Sequence, residues 1–173
     1  LELIRRSWGW YLNNPNGTQS TVIEGYLQNG TFGYRSSRGY NYDASYISHS
    51  HGWSSGPTSA LTTYVLGLSV IGIAGKQWKL APQFGDLSSA EGGFTTVLGK
   101  YQASWQLEQS GYKLSYNVPE GTTGQLVLPC LATGKWPSIQ IDGQAVPRGL
   151  NPQLVGDGVV LDADGGEHVI EVR

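Results

Sequence analysis

The feature that most limits the fold is a change of hydrophobic period near residue 75. After it, short alternating or apolar runs follow one another: Phe94 to Leu107, Tyr112-Leu114-Tyr116-Val118, Leu126-Leu128-Cys130, Ile139-Ile141, Val159 to Leu161 and His168-Ile170-Val172. The dividers are turn sequences. Asp142-Gly143 is a hairpin pair, Glu120-Gly121 and Gly165-Gly166 are turn pairs, and Pro119, Pro129 and Pro137 bar continuation. Six or seven short strands over about ninety-five residues predict an antiparallel β-sandwich able to fold by itself.

Before residue 75 the texture differs. Leu1, Ile4, Trp8 and Tyr11 recur at helical spacing until Asn13, Asn14, Pro15, Asn16 and Gly17 stop the helix. A loop-rich passage runs from Thr18 to Pro57, far beyond the roughly 4–6 residues of an ordinary connection. It carries Tyr26, Phe32, Tyr34, Tyr40, Tyr42, Tyr46 and Trp53, an aromatic load that argues for packing or ligand holding rather than disorder. A second helix is expected from Thr58 or Ser59, with Ala60, Leu61, Tyr64, Val65 and Leu68 on one face and Gly67 weakening it. Two helices and a long loop lack a second layer, so this half must pack on the sandwich or on other protein. The fold class expected is thus α+β.

Composition narrows the partners. Eleven basic and thirteen acidic side chains give a net charge of -2, with no basic stripe to draw a nucleic acid or an anionic membrane. The apolar stretch from Tyr64 to Ala74 is broken by Gly67, Ser69 and Gly72 and falls short of the roughly 20 residues that span a bilayer. The single cysteine, Cys130, allows no intrachain disulfide and no multi-cysteine metal site; it is expected to be a small buried residue or to pair outside this chain. With Leu1 first and no methionine, the chain is expected to be cut from something longer. Two sequons, Asn16-Gly17-Thr18 and Asn29-Gly30-Thr31, point to secretion and to glycosylation at Asn16 and Asn29.

Few residues offer chemistry. Glu24 lies in the apolar run Ser20-Thr21-Val22-Ile23-Glu24-Gly25-Tyr26, where partial desolvation would suit a general acid or base; the other reading is a solvent-facing glutamate at a strand edge. Asp43, Asp86 and Glu91 have no context that separates them from surface acids. In His49-Ser50-His51-Gly52-Trp53, two histidines could clamp a metal, but no third ligand is evident, so no metal is expected. An imidazole beside an indole fits a sugar subsite, unless Trp53 packs in a core and His51 bonds to backbone. No nucleophile elbow, phosphate loop or dinucleotide fingerprint occurs, and no cofactor is expected.

The order of these features resembles the carboxyl end of secreted α-L-rhamnosidases, especially the fungal type. The resemblance rests on Ser20 to Glu24, Ser48 to His51 with Gly52-Trp53-Ser54-Ser55-Gly56-Pro57-Thr58, Trp78-Lys79-Leu80-Ala81-Pro82, and Phe94 to Gly99 ahead of Ala103-Ser104-Trp105. It implies that residues 1–74 are the last helices and long loop of an incomplete (α/α)6 catalytic barrel, and 75–173 its trailing sandwich. It also implies an inverting hydrolase of rhamnosylated glycosides, with Glu24 as catalytic base, His51 contacting the sugar and Trp53 walling the pocket. Ile23 stands where relatives often carry Trp. The general acid would lie on barrel sequence outside this chain, so the chain alone is expected to be inactive. Two other classes stay open: a non-catalytic carbohydrate-binding or structural sandwich, and a cell-surface interaction protein.

Overall fold

The structure is a computed structural model that describes residues 1–15, 17–27, 47–130, 137–146, 153–155 and 158–173. The sequons' acceptors Asn16 and Asn29, the loop aromatics Phe32 to Tyr46 and Asp43 lie outside the described residues. The chain divides into two compact units, Leu1–Ser59 and Ala60–Arg173.

In the first unit the expected amino-terminal helix is present. A π-helical stretch, Ile4–Gly9, runs into α-helical Trp10–Asn13, and the backbone turns extended at Asn14. Tyr11 is its wholly buried residue, and it packs with Ile23 and Ile47, with Tyr26 against them. After Ile47 comes a 3-10 turn, Gly52–Ser55, which leads into the helical residues Gly56–Ala60.

The second unit is mostly sheet. A π-helical stretch, Leu61–Leu66, ends at Gly67, whose φ of 90° is left-handed; a side chain there would also collide with the backbone of Ala81 and Pro82. The predicted helix is therefore shorter than its apolar pattern, and Leu68 leaves it to begin a strand. Leu66 and Leu68 are buried in the sheet's core, which is why this unit begins ahead of the change of period at 75.

Among the described residues nine strands follow: β1 Leu68–Val70, β2 Gln77–Leu80, β3 Ser89–Thr96, β4 Gly99–Glu108, β5 Gly111–Pro129, β6 Ile139–Ile141, β7 Gln144–Ala145, β8 Gln153–Val155 and β9 Gly158–Val172. The long strands β5 and β9 pair antiparallel along nearly their whole length, with a register shift between Val118 and Thr123. That bend folds the ladder into two layers. One half carries β3, β4, β6 and β7; the other carries β1, β2 and β8. Contacts between halves close the sandwich: the Tyr112 hydroxyl donates to the Pro129 carbonyl at 3.0 Å, and the Tyr116 hydroxyl to that of Asp164 at 3.1 Å.

Three expectations need correction. The sheet is not wholly antiparallel, because β2 lies parallel to the second half of β5, a pairing that the intervening β3–β4 hairpin makes possible as a crossover. Glu120-Gly121 and Gly165-Gly166 do not end strands. They fall where β5 and β9 bend together, so the runs on either side belong to one strand each. Conversely, the run from Phe94 to Leu107 is two strands, because Thr96 and Gly99 close a hairpin that leaves Val97 90% exposed at its tip.

The bend is packed by Trp78. Its indole is fully buried, lies 4.8 Å from the Tyr116 ring, and donates to Thr122 Oγ1 at 3.1 Å. Gly124, opposite Trp78 in the parallel pair, is required by that ring, since a Cβ there would fall inside the indole. Gly124→Val should destabilise the chain by about 1–3 kcal/mol, read as a lower denaturant midpoint at unchanged m-value.

At the β6–β7 turn, Asp142 accepts the Val169 amide at 2.8 Å and meets His168 Nδ1 at 2.7 Å, which holds the hairpin to β9. The Val169 amide first, and His168 second, keep the Asp142 carboxyl below its ordinary range. A lowered folded value means stability present above the unfolded carboxyl value near ~3.9 and lost as pH falls through the folded one. Asp142→Asn, which keeps the turn residue's tolerance of positive φ, should melt below wild type at neutral pH, with the gap closing in a thermal-melt series as pH drops below about 4.

Candidate functional site

Glu24 and His51 lie in the first unit on two irregular segments, 21–25 and 47–51. The segments run side by side in opposite directions. The Glu24 amide donates to the Ser48 carbonyl and the His51 amide to the Val22 carbonyl, each at 2.8 Å. Ile23 and Ile47 point into the small core, which turns their neighbours Glu24 and Ser48 outward from it. Glu24 is half-buried, and its Oε2 accepts the Ser48 amide at 3.1 Å. Residues 24 and 48 thus bond in both directions, backbone to backbone and backbone to carboxylate. Such a carboxylate has one oxygen fixed in direction, unlike a glutamate splayed from a strand edge.

His51 is half-buried and precedes the 3-10 turn that carries Trp53. The two rings meet edge to face, with centroids 5.7 Å apart and an interplanar angle of 83°. Trp53 is 93% exposed, so it is no core residue of this unit. The turn itself is held from below by the helix, since Trp8 Nε1 donates to the Ser54 carbonyl at 2.7 Å.

Sequence reasoning had paired His49 with His51 as a possible clamp, and the rings have separate partners. His49 Nδ1 lies 3.0 Å from the buried Tyr11 hydroxyl, whereas His51 faces Trp53. Among the described residues, no group of three or more His, Cys, Asp or Glu is placed to hold a metal ion. The residues missed from sequence are Tyr11, Thr18 and Thr21. The Tyr11 hydroxyl also meets Thr18 Oγ1 at 3.3 Å, Thr18 and Thr21 hydroxyls lie 2.6 Å apart, and the Thr21 hydroxyl donates to the His49 carbonyl. Tyr11 carries helical periodicity and reads as core; nothing in the spacing announces its hydroxyl's partners. Tyr26, 6.0 Å from the Trp8 ring, has a buried hydroxyl with no hydrogen-bond partner among the described residues. Burial first, and Tyr11 second, push that phenol above its ordinary value.

The other carboxylates considered lie in the second unit. Asp86 sits exposed in the turn before β3, and Glu91 is exposed on β3 opposite Ser104. Cys130 is half-buried against the sandwich core. That unit also has a concavity of about 710 Å³ bordered by Gln77, Trp78, Tyr116, Gln125, Asp164 and His168, and none of Glu24, His51 and Trp53 lines it. Its aromatic floor is closed, because Trp78 and Tyr116 are buried by their own packing. No helix among the described residues is long and apolar enough to cross a membrane.

Comparison with known proteins bears on the second unit above all. Residues 67–138 match the family model of the bacterial alpha-L-rhamnosidase C-terminal domain. No curated protein matches the chain. Three solved structures share the fold. An alpha-L-rhamnosidase from Dictyoglumus thermophilum superposes with a TM-score of 0.66 at 16% identity, over 73% of this chain and 14% of its own. One from Streptomyces avermitilis, complexed with L-rhamnose, gives 0.62 at 20% identity over 76% of this chain and 12% of its own. A native one from Aspergillus terreus gives 0.55 at 22% identity over 73% and 12%. The present chain therefore spans about an eighth of the length of the enzymes it resembles. The resemblance read from the sequence, to the carboxyl end of α-L-rhamnosidases, holds on this comparison. The family match falls on the strands that build the bent ladder, β1 to β5, so it is in this second unit that the chain is similar to the C-terminal domain of α-L-rhamnosidases.

Proposed function

We propose that this chain is the carboxyl-terminal portion of a secreted, fungal-type glycoside hydrolase that removes terminal α-L-rhamnose from glycosides with inversion. In this reading the first unit, Leu1–Ser59, belongs to the last segment of an (α/α)6 catalytic barrel, the sandwich trails it, and Asn16 and Asn29 carry glycans. The observation that carries the proposal is the rhamnosidase C-terminal domain match at 67–138, preceded in the chain by a unit that holds Glu24 and His51 on two bonded segments.

Glu24 acts as the base. Its carboxylate, oriented by the Ser48 amide, takes a proton from water while the water oxygen bonds to the anomeric carbon. The glycosidic bond breaks on the opposite face, and its oxygen takes a proton from a general acid. Inversion needs the two carboxyls roughly 6.5–9.5 Å apart, with the acid on polypeptide outside this chain. His51 reads sugar hydroxyls and Trp53 gives a ring face to the sugar, a role consistent with its exposure here.

Two outcomes are expected. In the complete enzyme, Glu24→Gln should lower rhamnosidase turnover roughly 10²–10⁴-fold, and undiminished turnover would remove Glu24 from the role. The 173-residue chain alone should release no chromophore from an aryl α-L-rhamnoside and show no saturable heat on titration with L-rhamnose. Saturable binding by the chain alone would instead favour a non-catalytic carbohydrate-binding module.

A further inference from the structure

We propose that Tyr11 and His49 form a positioning pair that sets the direction of the Glu24 carboxylate; this rests on the base reading given above. The argument starts from what holds Glu24. Its carboxylate oxygen accepts the amide of Ser48, so its direction follows the position of the Ile47–Ser48 peptide group, next in the chain to His49. Ser48 and Ser50 are short and lie toward solvent, and neither side chain enters the core.

His49 anchors the segment from two directions. Its ring meets the Tyr11 hydroxyl at 3.0 Å, and Tyr11 is immobilised by complete burial between Ile23 and Ile47. Its carbonyl accepts the Thr21 hydroxyl, three residues before Glu24 on the opposing segment. Thr21 is linked to Thr18, and the Thr18 hydroxyl and amide both meet the Tyr11 hydroxyl, at 3.3 and 3.4 Å. The loop of bonds closes on one phenol oxygen. It joins the helix, the segment bearing Glu24 and the segment bearing His51, beside an apolar cluster that among the described residues comprises Tyr11, Ile23 and Ile47 with Tyr26 against them. Apolar packing is non-directional, and these directional bonds set the register of the two segments. A shift of about 1 Å between a base and its water costs on the order of a hundredfold in rate.

The test compares Tyr11→Phe, His49→Leu and His49→Asn in the complete enzyme, with Glu24→Gln alongside. Asn places its amide near the position of the ring Nδ1 and, through Oδ1 or Nδ2, can bond the phenol in either direction; Leu cannot. Tyr11→Phe and His49→Leu should lower kcat roughly ten- to a hundredfold with KM within about threefold of wild type, and His49→Asn should recover most of the loss. In the 173-residue chain, amide hydrogen exchange at Ser48 should quicken in the first two variants and not in the third. Wild-type kcat in folded Tyr11→Phe and His49→Leu, beside a slow Glu24→Gln, overturns the positioning role and leaves the base intact. Undiminished turnover in Glu24→Gln overturns the base, and this proposal with it. If His49→Leu fails to fold, Tyr11→Phe, which removes one oxygen and keeps the buried ring, decides alone.

Discussion

The continuous pairing of β5 with β9 through the bend is the constraint on which the sandwich depends. Two separate sheets would have to find their facing geometry by side-chain packing alone. Here one ladder, from Tyr112 opposite Val172 to Pro129 opposite Gly158, enters both layers and sets their register with backbone hydrogen bonds. The apolar alternation then follows: Tyr112, Leu114, Tyr116 and Val118 on one half face Leu126, Leu128, Val159 and Leu161 on the other. Full burial of side chains of this size contributes about 1.5–3 kcal/mol each, so the folded ladder places a large share of the unit's apolar stabilisation between its own halves. Trp78 enters from β2 to fill the inner side of the bend, and Phe84 packs edge-on to Trp105 and Tyr112 further along.

The first unit is built on different terms. Around Glu24 and His51 the segments are tied by a set of hydrogen bonds that converge on Tyr11. Removing one polar partner there leaves others with unmet demand, which makes such a network sensitive to single substitutions in a way that the sandwich core is not. The half-buried Glu24 and the exposed Trp53 are placed by this network and by the Trp8 bond to the Ser54 carbonyl, respectively.

The residues differ in how readable they were. Glu24 stood out because a lone carboxylate interrupted an apolar run, and the segment does prove half-buried with the acid bonded to Ser48. His49 was visible as a residue but misgrouped: two histidines at one spacing suggest a common target, and separation of their partners by Tyr11 and Trp53 is a long-range fact. The turn pairs Glu120-Gly121 and Gly165-Gly166 were read as strand ends, since locally a turn and a coupled bend share the same sequence. Only their alignment across the ladder tells the two apart.

Local chemistry by itself determined the switch from helical to two-residue periodicity, the Asp142-Gly143 hairpin, the stop of the first helix before Asn14 and the strand faces that become core, because each depends on neighbours within a few residues. Tertiary structure decided which strands pair, the parallel seating of β2, the assignment of Leu66 and Leu68 to the sandwich core, and the meeting of Tyr11 with His49. Those choices bring together residues tens of positions apart. Their partners are selected by how well distant surfaces and hydrogen-bonding groups fit once both are folded, and no local pattern carries that information.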